Sequence, residues 1–218
     1  MPGNLARAAS VIVAGLGFVA LHTRLSGMKA DATSTQVVES DGVKHHERVT
    51  TIDTATGLGN ERSFELELER AVKQAQRHAN TVALSLVDVD AYDLIRGEYG
   101  EMVAEKMLAE LATFIGGRRA DDRTFRLNGG RFAIILPYTT APEIFPLMEH
   151  LRTETEGSEL GTTVTIGTAH VAPRMDSGQL LQRARQALTE AHVAGGNTVV
   201  TFDPACFSEQ RAPIASPA

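Results

Sequence analysis

Phe125-Arg-Leu-Asn-Gly-Gly-Arg-Phe-Ala-Ile-Ile-Leu136 carries the clearest structural signal in this 218-residue chain. Apolar side chains alternate with other residues on both sides of Asn128-Gly129. Asn-Gly between two alternating runs is the strongest short-range signal for a β-hairpin. The sequence therefore predicts two antiparallel strands joined by a turn at Asn128. The alternating residues are Phe125 and Leu127 before the turn, and Phe132, Ile134 and Leu136 after it.

Helices and strands alternate on either side of the predicted hairpin. Apolar residues at helical spacing predict a helix over Ser63 to His78, and the apolar run Val82 to Val87 predicts a strand buried on both faces. A second helix covers Met107 to Ile115 and ends at Gly116-Gly117. After the hairpin we expect a helix (141–155), a strand (162–170), a helix (177–194) and a strand (198–203). This order predicts an α/β domain of the α+β kind, with helices on both faces of a central, mostly antiparallel sheet.

The composition is that of a globular protein, with 43% hydrophobic and 22% charged residues. The formal net charge of −6 argues against a nucleic-acid partner, because nucleic-acid binding needs a concentrated basic surface. A local arginine cluster is still able to bind one small phosphodiester. The single cysteine, Cys206, allows no disulfide within the chain, which fits a reducing cytoplasm.

The N-terminus contains a separate apolar run from Ala8 to Leu21. A spanning helix needs roughly 20 apolar residues, and this run only just reaches the lower limit when it is counted from Leu5. We expect residues 1–28 to hold a single-pass membrane anchor, because the run precedes a polar linker. Cationic residues follow the run and place the remaining chain on the cytoplasmic side. A signal peptide and a buried core helix are the alternatives, and without an anchor the protein is cytoplasmic.

Three further ranges complete the predicted organisation. Residues 29–49 are polar without a clear period and are predicted to form a linker. Residues 50–203 carry the alternating helices and strands and form the domain. Residues 204–218, rich in Pro, Ala and Ser, are predicted to be a disordered tail.

Five segments, in order, resemble the motifs of GGDEF domains, the catalytic domains of diguanylate cyclases. The resemblance covers about Asp53 to Asp203 and implies the palm-like fold of nucleotidyl cyclases. The segments are Asp53-Thr-Ala-Thr-Gly-Leu-Gly-Asn-Glu-Arg-Ser-Phe64, Asp88-Val-Asp90, Arg126-Leu-Asn-Gly-Gly-Arg-Phe132, Thr163-Val-Thr-Ile-Gly167 and the closing helix Ala184 to Asn197.

The resemblance implies a reaction that depends on divalent cations. The family makes cyclic di-GMP from two GTP molecules, and metal ions activate the attacking hydroxyl and neutralise the triphosphate. Asp88 matches one acidic metal ligand, but Gly130 and Arg131 occupy the acidic positions of the hairpin. Glycine offers no ligand. An arginine charge about 4 Å from a divalent ion is repelled by roughly 8 kcal/mol at an effective dielectric of 20, unless the side chain turns away. We therefore expect no catalytic residue, only vestigial positions at Asp88, Gly130 and Arg131.

The positions that the resemblance assigns to nucleotide binding have changed as well. Asp93 and His192 stand where the family has phosphate-binding lysines, and Gly196 replaces an arginine. Arg96 replaces the guanine-reading asparagine, whereas Glu105 keeps the acidic acceptor. We expect no cyclase activity and no cofactor. Mg²⁺ enters only if GTP binding is retained, with Asp88 as its ligand.

Arg119-Ala-Asp-Asp122 matches the Arg-x-x-Asp motif of the family's inhibitory product site. There the arginine contacts a guanine edge or a phosphate, and the aspartate accepts from guanine N–H groups. His150 stands where the family commonly adds a second arginine. We predict that Arg119, Asp122 and His150 bind cyclic di-GMP. The alternative is a solvated surface cluster of charges.

The sequence thus favours a GGDEF protein without cyclase activity that binds cyclic di-GMP as an effector. One alternative is an active or altered cyclase, or a GTP-binding regulator that uses Asp88 and Glu105. The other is an interaction module that binds no nucleotide and pairs with another GGDEF protein or a downstream signalling protein. A homodimer is a further candidate assembly.

Overall fold

The computed structural model describes residues 51–116 and 119–203. The predicted anchor (1–28), the linker (29–49) and the tail (204–218) lie outside the described residues. None of the helices in the two described ranges combines the length and the apolarity that crossing a bilayer requires.

The described residues form five helices and five strands. In chain order these are α1 (Glu61–His78), β1 (Val82–Val89), α2 (Tyr92–Tyr99), α3 (Glu101–Ile115), β2 (Arg123–Arg126), β3 (Arg131–Pro137), α4 (Ala141–Gly157), β4 (Val164–His170), α5 (Ser177–Val193) and β5 (Val199–Thr201).

The strands form one sheet in the order β2-β3-β1-β4-β5. The pairs β2–β3, β3–β1 and β1–β4 are antiparallel, and only β4–β5 is parallel. Phe125 lies opposite Ala133, and Arg126 lies opposite Phe132, so the predicted hairpin is confirmed. The mostly antiparallel sheet of the predicted α+β fold is confirmed as well.

The central strand β1 is buried on both faces because helices cover both sides of the sheet. Val87 and Val89 pack in one apolar cluster with α2, α3 and α4. Leu84 and Leu86 point the other way and pack in a second cluster with α1 and α5. Successive side chains of a strand alternate between the two faces, so a strand between two helical layers is apolar at nearly every position.

The helix α2 was not predicted from the sequence. It has only eight residues, with three buried side chains, Tyr92, Ile95 and Tyr99. A helix this short shows barely two turns of apolar spacing, which is too few for a periodic signal. Gly100, at φ +89°, separates α2 from α3. Strand β1 also continues two residues beyond its predicted end and therefore contains Asp88.

A glycine sets the position of α5 over the sheet. A Cβ atom at Gly167 of β4 would lie 2.1 Å from the backbone nitrogen of Leu188 in α5. Only glycine allows the helix backbone to approach the strand this closely. The close packing brings the last turn of α5, with His192, to the end of β1.

Candidate functional site

The Asp88 carboxylate, near the end of β1, has two nitrogen partners on one oxygen. His192 Nε2 lies 3.0 Å from Oδ2, and Arg131 Nε lies 3.4 Å from the same atom. The register of β1 and β3 places Arg131 directly opposite Asp88. The Arg131 side chain has therefore turned towards the carboxylate and not away from it.

Asp90 joins three parts of the fold. Its Oδ1 accepts a hydrogen bond from Thr165 Oγ1 at 2.5 Å. Its Oδ2 accepts from Thr163 Oγ1 at 2.5 Å and from the Asn197 backbone N–H at 3.2 Å. Both oxygens are thus engaged in linking β1 to β4 and to the turn after α5. This role of Asp90 was not predicted from the sequence, although Thr163 and Thr165 belong to one of the quoted motifs.

The turn after α5 leaves little room for a side chain beside Asp90. A Cβ atom on Gly196 would lie 3.3 Å from Thr165 Oγ1 and 3.4 Å from Asp90 Oδ1. Gly196 also has φ +77°, which is strained for any residue with a Cβ. Position 196 therefore favours glycine for local structural reasons.

A cavity of about 470 Å³ opens beside these side chains. Its charged lining consists of three aspartates, one arginine and one histidine. These are Asp88, Asp90, Asp93, Arg131 and His192. Among the residues that the structure describes, no group of three or more His, Cys, Asp or Glu could hold a metal ion.

The hairpin contacts α2 through Gly130. A Cβ atom on Gly130 would lie 2.7 Å from the Cβ of Tyr92 and 2.8 Å from its Cγ. The Cβ atom is bonded directly to the Tyr92 backbone, so rotation of the side chain cannot remove it. An acidic residue at position 130 requires α2 to move away from the hairpin.

A second cavity, of about 630 Å³, lies between the start of α1, the helices α2 and α3, and the hairpin. Inside it, Glu105 Oε1 lies 3.3 Å from the Tyr92 hydroxyl and 3.5 Å from an Arg126 guanidinium nitrogen. Desolvation, followed by the charge of Glu105, raises the pKa of Tyr92. The acceptor predicted to read guanine thus already has two partners in the protein.

Arg126 is a buried arginine, with 7% of its side chain exposed. Its Nη1 donates to the carbonyl oxygens of Leu127 at 2.6 Å and Arg131 at 3.2 Å. The guanidinium also lies over the Phe132 ring, 5.4 Å from the centroid. These contacts fix Arg126 against the hairpin and hold it beside Glu105.

Arg96 and Asp93 pair with each other on the surface of α2. Arg96 Nη2 lies 3.3 Å from Asp93 Oδ1, and its Nε lies 3.9 Å from Glu101 Oε2. The two residues predicted to replace the asparagine and the lysine of the family are therefore partners. The Arg96 side chain is 48% exposed, so the pair contributes little to stability.

Arg119 and Asp122 lie close together in the segment before β2. Arg119 Nη1 donates to Thr139 Oγ1 at 3.1 Å, and its Nε lies 3.9 Å from Asp122 Oδ1. The arginine side chain is 42% exposed and that of Asp122 only 7%. Asp122 Oδ1 is buried without a hydrogen-bond partner. Desolvation raises the pKa of Asp122, against the opposing effect of Arg119.

His150 lies on α4 and has a partner of its own. Its Nε2 is 3.2 Å from Glu154 Oε1, one turn further along the helix, and its side chain is 65% exposed. The neighbouring Arg152 is 13% exposed and pairs with two glutamates and with Asn197. Arg152 is therefore a structural side chain that ties α4 to the turn after α5.

The fold and these motifs define a domain of the nucleotidyl-cyclase type, and the family assignment is specific. The sequence profile of the family described as "Diguanylate cyclase, GGDEF domain" matches residues 50–198. The chain belongs to the GGDEF family.

Two curated relatives illustrate the sequence similarity. The response regulator PleD of Caulobacter vibrioides is 28% identical over 171 residues, which cover 73% of this chain and 38% of PleD. The diguanylate cyclase DgcS of Shewanella oneidensis is 27% identical over 149 residues, which cover 66% of this chain and 50% of DgcS. The chain thus spans half or less of the length of these relatives.

Solved structures show the same fold. The GGDEF domain of DgcB from Caulobacter crescentus, in complex with c-di-GMP, aligns with a TM-score of 0.68 at 25% identity and covers 78% of this chain and 98% of that domain. The diguanylate cyclase SiaD from Pseudomonas aeruginosa, in complex with its activator SiaC, aligns with a TM-score of 0.65 at 23% identity. The alignment covers 91% of this chain and 73% of SiaD.

Proposed function

We propose that this GGDEF protein does not synthesise cyclic di-GMP and that it binds cyclic di-GMP as an effector. Arg119 and Asp122 form the ligand site, and His150 contributes at its edge. The observation that carries the proposal is the buried Asp122 Oδ1, which lacks a hydrogen-bond partner beside a half-exposed guanidinium.

The chemistry of the ligand matches these two side chains. An unpaired buried acceptor costs about 1–3 kcal/mol, and a ligand N–H group removes that cost once the Asp122 carboxyl, now 7% exposed, turns towards the ligand. The guanine base carries such donors on its Watson–Crick edge. The free donors of the Arg119 guanidinium suit a phosphate or the acceptor edge of a guanine. His150 adds positive charge only when it is protonated.

The contacts in the two cavities support the proposed absence of cyclic di-GMP synthesis. Asp88 is paired with Arg131 and His192, and Asp93 is paired with Arg96. Glu105 already interacts with Tyr92 and Arg126. These side chains would have to break existing contacts before they could bind a metal–triphosphate or a guanine. The proposed effector function needs no cofactor, and Mg²⁺ takes part only if some GTP binding survives.

The complexes of two similar proteins support the choice of ligand and of the kind of partner. The similar DgcB domain was solved in complex with c-di-GMP, and SiaD in complex with its activator SiaC. We propose that this protein signals by contacting a downstream protein or another GGDEF protein, including a second copy of itself. We further propose that residues 1–28 hold it at the inner face of the cell membrane.

Calorimetry of the full-length protein tests the ligand. We expect cyclic di-GMP to bind without Mg²⁺ and GTP not to bind with or without Mg²⁺. Cyclic di-AMP is the matched control, because its adenines lack the adjacent N1–H and N2–H donors of guanine from which Asp122 would accept. Binding of GTP alone would favour a GTP-dependent regulator. No binding of any nucleotide would leave a protein-interaction module.

A further inference from the structure

The GGDEF family implies a divalent cation at Asp88, and the surrounding residues do not fit one. Hard divalent cations require several oxygen ligands at fixed positions. Gly130 has no side chain, and both carboxylate oxygens of Asp90 already accept hydrogen bonds. Of the two aspartates Asp88 and Asp90, Asp88 therefore faces a cation instead of hydroxyl groups, and that cation is the Arg131 side chain of the protein itself.

Arg131 provides a positive charge at the same carboxylate. Residues directly opposite each other in an antiparallel pair have Cβ atoms about 4.5–5.5 Å apart, which is within reach of an arginine side chain. Arg131 Nε lies 3.4 Å from Asp88 Oδ2, and His192 Nε2 shares that oxygen. Asp88 is only 17% exposed, so its charge is partly removed from water and requires a nearby counter-charge.

We infer that the Arg131 guanidinium has replaced the divalent cation and that Asp88 serves as its partner in an internal ion pair. The pair, together with His192, joins the hairpin to the last turn of α5. The domain then needs no metal ion for its stability. The inference rests on the proposed loss of cyclase activity, and it is independent of whether Arg119 and Asp122 bind cyclic di-GMP.

A double-mutant cycle on the full-length protein tests the pair. The melting temperatures of the wild type, Asp88→Asn, Arg131→Gln and the double variant are measured in EDTA. We expect each single change to lower the Tm by about 2–4 °C. The Tm of the double variant should fall by less than the sum of the two single decreases, because each single change leaves one charge uncompensated. Additive losses would overturn the inference.

Arg123 supplies a matched control for this cycle. It is 59% exposed, against 60% for Arg131, and it pairs with Glu67 and not with Asp88. The decreases in Tm caused by Asp88→Asn and Arg123→Gln should therefore add in the variant that carries both changes.

Manganese binding gives a second and independent test. We expect Mn²⁺ alone to leave the Tm of the wild type unchanged relative to EDTA, with no loss of the free Mn²⁺ signal in electron paramagnetic resonance. Binding of Mn²⁺ by the wild type that disappears in Asp88→Asn would show a surviving metal site and overturn the inference. Cyclase assays are separate from both tests, so failure of this inference and failure of the proposed function can be told apart.

Discussion

Tyr92 packs directly on Gly130, and a Cβ atom at position 130 would lie 2.7 Å from the Tyr92 Cβ. This contact between α2 and the hairpin exists because residue 130 has no side chain. The Tyr92 hydroxyl then reaches Glu105 at 3.3 Å. The glycine at position 130 is therefore linked to the packing of the neighbouring helix.

The first prediction concerns this contact. Gly130→Glu should lower the free energy of unfolding by about 1–3 kcal/mol, because the added atoms overpack the contact with Tyr92. Urea unfolding followed by circular dichroism measures the change. Gly97→Ala, in the helix α2 that also contains Tyr92, is the control. No atom lies within 4 Å of a Cβ added at Gly97, so this change should raise the free energy of unfolding by about 0.5–1 kcal/mol. Wild-type stability of Gly130→Glu would contradict the predicted clash.

The second prediction concerns the synthesis of cyclic di-GMP. The wild type, incubated with GTP and Mg²⁺ or Mn²⁺, should give no cyclic di-GMP by liquid chromatography, with an active diguanylate cyclase as the positive control. The double variant Gly130→Glu, Arg131→Glu should also be inactive, because Asp93, His192 and Gly196 still leave the triphosphate without its cations. Wild-type turnover that Asp88→Ala abolishes would refute the first statement. Turnover by the double variant would refute the second.

The third prediction concerns the affinity for cyclic di-GMP. Arg119→Ala should weaken binding about ten- to hundred-fold, since a hydrogen bond to a charged group contributes about 1.5–3 kcal/mol. Calorimetry measures the loss. Asp88→Ala and Arg123→Ala, which change other charged sites, should bind like the wild type. His150→Arg should tighten binding by adding a permanent charge, less any competition from Glu154. Unchanged affinity in Arg119→Ala would reject the proposed site.

The fourth prediction separates function from stability at Asp122. Burial raises the pKa of this carboxyl, so its ionised form destabilises the folded protein at pH values above the folded pKa. Asp122→Asn should therefore raise the Tm at neutral pH while weakening the binding of cyclic di-GMP. The gain should vanish below the ordinary pKa of 3.8, where both states are neutral. A loss of Tm at neutral pH would mean that the carboxylate is structural.

The fifth prediction concerns residues 1–28. The full-length protein should sediment with membranes, and a version that starts at Lys29 should remain in the supernatant. The free energy of membrane insertion is expected to be small. Gly15 and Gly17 contribute little apolar surface, and each buried methylene contributes roughly 0.8 kcal/mol. Recovery of both proteins in the supernatant would contradict the anchor.

The hairpin at Asn128 and the buried strand β1 were predictable because both signals are local. An Asn-Gly turn between alternating residues defines antiparallel pairing, and a continuous apolar run defines a strand covered on both sides. The helix α2 was missed because its three buried residues, Tyr92, Ile95 and Tyr99, are too few to show a period. Its position depends on contacts with α3 and the hairpin.

The sequence by itself determined the family, the order of helices and strands apart from α2, and the residue types at the positions that the resemblance assigns to catalysis. Only the tertiary structure decided what those residues contact. Sequence alone left open whether Arg131 turns away, and the register of β1 and β3 places it opposite Asp88. Likewise, the close packing of α5 on Gly167 brings His192 to the same carboxylate. An ion pair depends on distances of a few ångströms between segments far apart in the chain, and these distances are fixed only when the sheet and helices pack together.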